Sequence, residues 1–259
     1  MENYGTVSRP LVMGVLNVTP DSFSDGGRWL DPEAAISHGL RLVAEGADVV
    51  DIGGESTRPG AAEVPIEEEL RRVLPVVDAL AGHVRVSIDT KKREVAEAAL
   101  DAGATILNDV SAGLYEVAAV HDAGWVAMHM RGTPLTMQEQ AQYDDVVGEV
   151  REFLLHRVRL ALAAGVKEVW IDPGLGFAKT ADHNLALLAR LDELVASGHP
   201  VLVGASRKSF IGKLTGGAPV DDRLEGSLAL AVWAMEKGAA MVRVHDVRAT
   251  VQAARLIAA

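Results

Sequence analysis

Gly165-Val-Lys-Glu-Val-Trp-Ile-Asp-Pro-Gly174 carries the local grammar of the whole chain. A glycine stops a helical pattern, a short β-branched apolar run follows at once, and the run ends on a carboxylate before a turn. The same order recurs at Gly46-Ala-Asp-Val-Val-Asp-Ile52, Gly103-Ala-Thr-Ile-Leu-Asn108, Gly124-Trp-Val-Ala-Met-His129, Gly198-His-Pro-Val-Leu-Val203 and Gly238-Ala-Ala-Met-Val-Arg-Val244. Gly82-His-Val-Arg-Val-Ser-Ile-Asp89 is a looser copy, and Leu11-Val-Met-Gly-Val-Leu16 opens the series with no helix before it. These eight runs are apolar without alternation, as strands of a parallel sheet covered on its outer face must be.

Amphipathic segments fall between them, near 32–45, 66–81, 92–102, 114–122, 143–164, 182–196, 221–237 and 246–258. Asp31 followed by Pro32 reads as an N-cap with proline at the first helical position. Eight βα units in 259 residues predict a TIM (β/α)8 barrel as one domain over 1–259. An open doubly wound sheet is the rival. Its glycine-rich dinucleotide fingerprint is missing after the first strand, where the chain reads Asn17-Val-Thr-Pro-Asp-Ser-Phe-Ser-Asp-Gly-Gly27.

Composition excludes several kinds of chemistry. The chain has no cysteine, so disulfides, thiolate metal sites, iron–sulfur clusters and a cysteine nucleophile are ruled out, and a reducing, cytoplasmic setting is expected. A net charge of −11, from 36 acidic and 25 basic side chains, argues against a nucleic-acid partner but not against a small anion bound by a local cluster. Met1 to Pro10 show no signal-peptide pattern. The apolar stretch Leu228 to Met235 falls far short of the roughly 20 residues of a membrane span, so no membrane partner is expected.

Each strand turns polar at its end: Asn17, Gly53 to Gly60, Asp89-Thr90, Asn108-Asp109, His129 to Arg131, Asp172, Ser206 to Lys208 and Arg243 to His245. A barrel brings these ends to one rim, where active sites of the fold are built. Arg207, Lys208, Arg243, His245 and Arg248 make a cationic sector suited to phosphate. Asp89, Asn108 and Asp172 make a carboxylate and amide sector suited to the N–H edge of a nitrogen-rich ring. Asp109 and Ser111 read equally as helix N-caps. The loops after strands one and two are candidate lids or ordinary connections.

The ordered motifs resemble dihydropteroate synthase, of the pterin-binding family of the folate pathway. They are Met13 to Gly27, Asp51-Ile-Gly-Gly-Glu-Ser-Thr-Arg-Pro-Gly60, Ser87-Ile-Asp-Thr90, Leu107-Asn-Asp-Val110 and Met128-His-Met-Arg-Gly-Thr-Pro134. Ile171-Asp-Pro-Gly-Leu-Gly-Phe-Ala-Lys179, Gly204-Ala-Ser-Arg-Lys-Ser-Phe-Ile-Gly212 and Arg243-Val-His-Asp246 complete the set. Departures are small: Ser111-Ala-Gly where the family often has Ser-Gly-Gly, and Leu175 where a larger residue is common.

The resemblance implies a transferase that joins 6-hydroxymethyl-7,8-dihydropterin pyrophosphate to 4-aminobenzoate, with Mg2+ on the diphosphate. It implies Asp89, Lys208 and Asn17 as catalytic, and Asp89, Asn108, Asp172 and Lys208 as the pterin site. Asn17, Thr57, Arg243 and His245 would meet the diphosphate, Asn17 also the metal. Ser206, Lys208, Arg58, Pro59, Phe23 and Phe177 would meet the aminobenzoate; Phe at either place is also consistent with loop packing. A homodimer is implied, and an apolar stripe of Leu228, Val232, Met235, Val251 and Ile257 permits one or serves as helix-to-barrel packing. The alternatives are a pterin-dependent methyltransferase domain, a catalytically silent pterin-binding paralogue and a Schiff-base aldolase using Lys208.

Overall fold

The computed structural model describes residues 9–19, 32–57, 60–133 and 135–259. The strands are β1 (Leu11–Asn17), β2 (Val49–Gly53), β3 (Arg85–Asp89), β4 (Ile106–Asp109), β5 (Gly124–Met128), β6 (Val169–Asp172), β7 (Leu202–Val203) and β8 (Met241–Val244). All pair in parallel in the order β6-β5-β4-β3-β2-β1-β8-β7. A bridge between Ile171 and Val201, with the Ile171 N–H donating to the Pro200 carbonyl at 3.0 Å, closes the ring. The expected TIM barrel is therefore the observed fold.

Around it lie α1 (Pro32–Ala44), α2 (Ile66–Leu80), α3 (Arg93–Asp101), α4 (Tyr115–Val120), α5 (Val146–Ala164), α6 (Ala181–Ala189), α7 (Leu191–Val195), α8 (Ser209–Leu214), α9 (Leu224–Glu236) and α10 (Val247–Ile257). None of the helices among the described residues is long and apolar enough to cross a membrane. Asp31, the expected cap of α1, lies outside the described residues.

Five junction glycines do what the sequence reading asked of them. Gly46, Gly103, Gly165, Gly198 and Gly238 adopt φ between 80° and 111°, the left-handed turn that ends a helix. Gly124 does not. Asp122 takes the left-handed turn there, and Gly124 opens β5, where a Cβ would lie 2.9 Å from the Glu168 carboxylate.

Three boundaries differ from the sequence reading. The sixth segment breaks at Arg190 (φ −107°, ψ 26°), whose guanidinium reaches Asp145 at 2.9 Å and Glu193 at 2.6 Å. α8 falls in a stretch whose pattern Gly212, Gly216 and Gly217 interrupt. β7 has only two residues, because the chain leaves the sheet at Gly204 and turns through Arg207 at φ 57°.

Two apolar layers result. Helices pack on the outer face of the strands, while Met13, Val49, Ile106, Val126, Trp170, Leu202 and Met241, from seven strands, form a separate buried cluster inside the barrel. Below it, the Arg85 guanidinium grips Glu168, which also accepts from the Trp170 indole at 2.7 Å. The barrel is thus plugged beneath its carboxyl rim.

The apolar stripe on the last two helices is partly spent within the chain. Met235 and Val251 are buried in the outer core, and Val232 and Ile257 pack against it.

Ile106, fully buried in the plug, gives a test of this packing. Ile106→Ala is expected to cost about 2–5 kcal/mol by the loss of buried methylenes and the cavity left behind. Urea unfolding checks the value, and a loss under 1 kcal/mol would mean that the plug is loosely packed.

Candidate active site

Alternation along a strand decides which side chains enter the barrel. In phase with Met13 and Val49 of the plug come Val15 and Asn17 on β1 and Asp51 and Gly53 on β2. The ladder aligns Asn17 with Gly53, Gly53 with Asp89, and Asp89 with Asn108, so the four share one row. Asp51 pairs with Ser87 one step deeper. On β6 and β8, Asp172 and Arg243 each follow a plug residue by two positions. Polar side chains therefore floor a cup directly above the apolar plug.

Arg243 organises that floor. Its Nε donates to Asp51 Oδ2 at 2.5 Å and its Nη2 to Asp89 Oδ2 at 2.7 Å. Asn108 Nδ2 donates to the same Asp51 oxygen at 3.0 Å, which leaves the Asn108 side-chain oxygen for another partner. Asp51 is fully buried and Asp89 is 9% exposed. The second oxygen of each, and the Ser87 hydroxyl, are buried without a hydrogen-bond partner among the described residues. A buried carboxylate oxygen without a donor is costly, and an N–H group from a ligand satisfies it.

The charges act on one another. Burial, together with Asp51 and Glu69, pushes Asp89 up to about 7 against the opposing pull of Arg243 and Lys208. Burial also raises Asp172, whose Oδ1 accepts from the Gly174 N–H at 2.7 Å. Lys208 stands just before α8, half-buried, its ammonium 4.1 Å from the centre of the Phe177 ring. Burial and the nearby Arg243 bring Lys208 down to about 8, opposed by Asp172 and Asp89.

The expected site residues separate into groups. Asp89, Asn108, Asp172, Lys208 and Arg243 line the cup, with Asn17 half-buried at the end of β1. Ser206, buried after β7, meets His245: their Oγ and Nδ1 are 3.0 Å apart, and the His245 N–H donates to Oγ at 3.2 Å. Phe177 is buried against Val110, Met128, Met137 and Ala178, leaning on Lys208 from the β6–α6 loop. Thr57 is half-buried in the loop after β2. Phe23, Arg58 and Pro59 lie outside the described residues.

Two members of the expected cationic and capping sets serve the scaffold instead. Arg207, in its left-handed turn, is drawn to Asp246 at 2.7 Å and takes no part in the cup. Asp109 accepts from the N–H groups of Ser111, Gly113 and Leu114 and from the Trp125 indole, so it holds the β4–α4 loop. The expected N-cap role is corrected, because α4 begins at Tyr115 with Leu114 at the cap position and no side chain capping it. Sequence reasoning gave no role to Asp51 or Lys179. An acid in the middle of an apolar strand was the available sign of the first, and a lysine ending the Asp-Pro-Gly motif of the second.

A barrel with charged, partly unsatisfied side chains above an apolar plug defines an enzyme of the rim-site type. The family model of pterin binding enzymes matches residues 13–245. The dihydropteroate synthase of Mycobacterium leprae is 53% identical, with 96% of this chain and 92% of that protein covered. That of Escherichia coli is 48% identical, over 98% and 92%. A solved Xanthomonas albilineans dihydropteroate synthase with 4-aminobenzoic acid superposes with a TM-score of 0.90 at 50% identity, covering 96% of this chain and 92% of that one. The same enzyme in complex with 7,8-dihydropteroate gives 0.87 at 47%, with the same coverage. The chain belongs to the pterin binding enzymes, in their dihydropteroate synthase branch.

Removing Arg243 strands two buried carboxylates. Arg243→Met is expected to cost about 3–5 kcal/mol at pH 8, because it removes a donor from both buried acids and leaves the Asp89 carboxylate with only Lys208 to offset its charge. The penalty shrinks as pH falls toward about 7, because without Arg243 Asp89 takes up its proton at a higher pH than in the wild type, and it levels off below that value. Urea melts at pH 8 and pH 6 check both signs; an equal penalty at the two values would count against the charge argument.

Proposed function

We propose that this chain condenses 6-hydroxymethyl-7,8-dihydropterin pyrophosphate with 4-aminobenzoate, giving 7,8-dihydropteroate and diphosphate. The observation that carries the reading is Asp89: one oxygen held by Arg243, the other buried and unpartnered, in a row with Asn108. A carboxylate so placed accepts N–H groups from the edge of a pterin, and Asp172, the Asn108 oxygen and Lys208 extend that recognition. Lys208 and Phe177 together favour an aromatic amine beside the pterin, with Ser206, Arg58, Pro59 and Phe23 completing the aminobenzoate site.

The reaction breaks the C–O bond between the pterin methylene and the diphosphate, whose oxygen leaves with the electron pair. The amine nitrogen then forms the C–N bond with its lone pair and gives up a proton to solvent. Positive charge developing on the pterin methylene spreads into the electron-rich ring, and the Asp89 carboxylate stabilises it electrostatically. An aniline nitrogen attacks such a carbon without an activating base, so no nucleophile-base pair is required.

Diphosphate departure needs positive charge. Among the described residues of the cup, Arg243 and Lys208 face three acids, Asp51, Asp89 and Asp172. Asn17 is an oxygen donor at the rim, fitting a hard cation that keeps most of its waters and takes one or two protein ligands. Asn17 would hold Mg2+, which when bound supplies the charge that neutralises the leaving diphosphate. Thr57, Arg243 and His245 would bind the remaining phosphate oxygens. We extend the proposal to a cytoplasmic homodimer, on the family resemblance and the cysteine-free composition; a sedimentation mass of one chain at micromolar concentration would remove the dimer.

Purified protein with both substrates and Mg2+ tests the reaction. Dihydropteroate and diphosphate in equal amounts are expected; pterin binding without product would leave a silent paralogue. Affinity for 6-hydroxymethyl-7,8-dihydropterin, measured by calorimetry, is expected to peak near pH 7. It falls below about 7 as Asp89 gains a proton and loses its acceptor, and on the alkaline side as Lys179, brought down to about 7 by burial, and Lys208, brought down to about 8, lose their charges. Asp89→Asn should abolish the acid limb along with at least tenfold of the affinity; an unchanged profile would sink the role of Asp89.

A further inference from the structure

Lys179 follows Asp172 by seven residues, in the loop between β6 and α6, and the proposed chemistry gives it no part. It is 4% exposed, and its ammonium is enclosed by acceptors: the carbonyls of Gly174 and Phe177 at 3.0 Å, that of His129 at 3.3 Å, and His129 Nδ1 at 2.9 Å. Burial, with the neighbouring Lys179 charge, holds His129 down to about 2, so its neutral ring presents a lone pair at Nδ1. Four acceptors converge on a nitrogen that carries three protons when charged and that burial brings down to about 7 against the pull of Asp172. An apolar side chain of equal volume would leave the His129 and Phe177 carbonyls and His129 Nδ1 without a donor among the described residues, while the Gly174 carbonyl keeps the Phe177 N–H at 3.1 Å.

The encircling loop is the one that shapes the cup. It starts with the Gly174 N–H on the Asp172 carboxylate and passes Gly176, where a Cβ would lie 3.1 Å from Lys208 Cδ. It then places the Phe177 ring under the Lys208 ammonium. Gly174 (φ 67°) and Ala178 (φ 50°) turn left-handed, and a Cβ on Gly174 would lie 2.0 Å from the His129 carbonyl oxygen. The loop is therefore wrapped tightly round the ammonium and against the end of β5.

We propose that Lys179 is a positioning residue: from inside the loop its ammonium draws residues 174–177 against His129, and so fixes Asp172 and Phe177 in the orientation in which they meet the pterin and the aminobenzoate beside Lys208. This rests on the assignment of Asp172 and Lys208 to the pterin. A lysine acting only as filler would be replaceable by methionine without cost at the site. One acting as a loop anchor is energetically coupled to Asp172.

The absence of cysteine from the chain allows a volume-matched test. Lys179→Cys is unfolded, alkylated with 2-bromoethylamine, which restores an ammonium, or with 1-iodopropane, which fills the same space without charge, and refolded beside wild type treated identically. Lys179→Met, Asp172→Asn and their double variant complete the set. Calorimetry with 6-hydroxymethyl-7,8-dihydropterin and the KM for 4-aminobenzoate are the readouts, with circular dichroism for the fold.

The methionine and propylated forms are expected to keep the barrel, to lose at least tenfold in pterin affinity and to raise the aminobenzoate KM. The aminoethylated form should recover to within threefold of wild type, and adding Lys179→Met to Asp172→Asn should cost less than twofold more. Pterin affinity within twofold of wild type in the uncharged forms, or additive losses in the double variant, would overturn the proposal. So would uncharged forms that fail to fold where the aminoethylated one succeeds, because the charge would then hold the barrel rather than the site. Asp172→Asn separates the two levels: if it binds pterin normally, the pterin assignment has failed, whereas a weakened Asp172→Asn beside an unaffected Lys179→Met defeats only the positioning role.

Discussion

Arg243 spans two carboxylates that the barrel forces into its interior, Asp51 on β2 and Asp89 on β3. Neither acid could sit there ionised alone, because burying an uncompensated charge costs several kcal/mol after relaxation. The guanidinium solves this for both because its donors form a rigid planar fork, which a lysine lacks. Its choice of atoms also sets the site. It takes Oδ2 of each acid and leaves Oδ1 of each unpartnered. Asn108 is oriented by the same contact, since its amide nitrogen is spent on Asp51. The ligand-facing pattern of the cup is what remains after Arg243 has been satisfied.

The apolar plug gives this arrangement its strength. With Met13, Ile106, Trp170 and their neighbours filling the barrel beneath, water reaches the charges only from the rim. Interactions among them are therefore screened less than at a surface, and the shifts of Asp89 and Lys208 toward neutrality express that cost. Such groups gain more from a ligand than exposed ones do, because a donor that arrives removes a penalty already present in the free protein.

The barrel was legible because its junction signal is local. A glycine after a helix needs no tertiary information, and five of those expected took the left-handed turn. The rim residues were legible for a similar reason, since a polar residue ending an apolar run is placed by the fold itself. What stayed hidden depends on phase and partnership. Asp51 reads as one acid among Val49, Val50 and Ile52; only the ladder, which sets it two positions above Val49 of the plug, shows that it points inward. Arg207 and Arg243 look alike as arginines near strand ends. One sits in a left-handed turn and turns out to Asp246, while the other is paired with Met13 and turns in. Lys179 was the hardest to read, because its carbonyl partners come from a loop whose path its own side chain helps to define.

The row Asn17, Gly53, Asp89, Asn108 links the two ends of the proposed chemistry. Its first member is assigned to the metal and diphosphate and its last two to the pterin, so the substrate must lie across the position between them. That position is the only one in the row without a side chain. A Cβ there would sit 3.5 Å from Asp89 Cβ, an ordinary contact, so the sheet itself does not demand glycine at Gly53. The backbone offers no reason either, since Gly53 is not among the residues with positive φ. With both structural grounds removed, the remaining reason is space: any larger side chain on this inward-facing position would grow into the path that joins the leaving group to the ring.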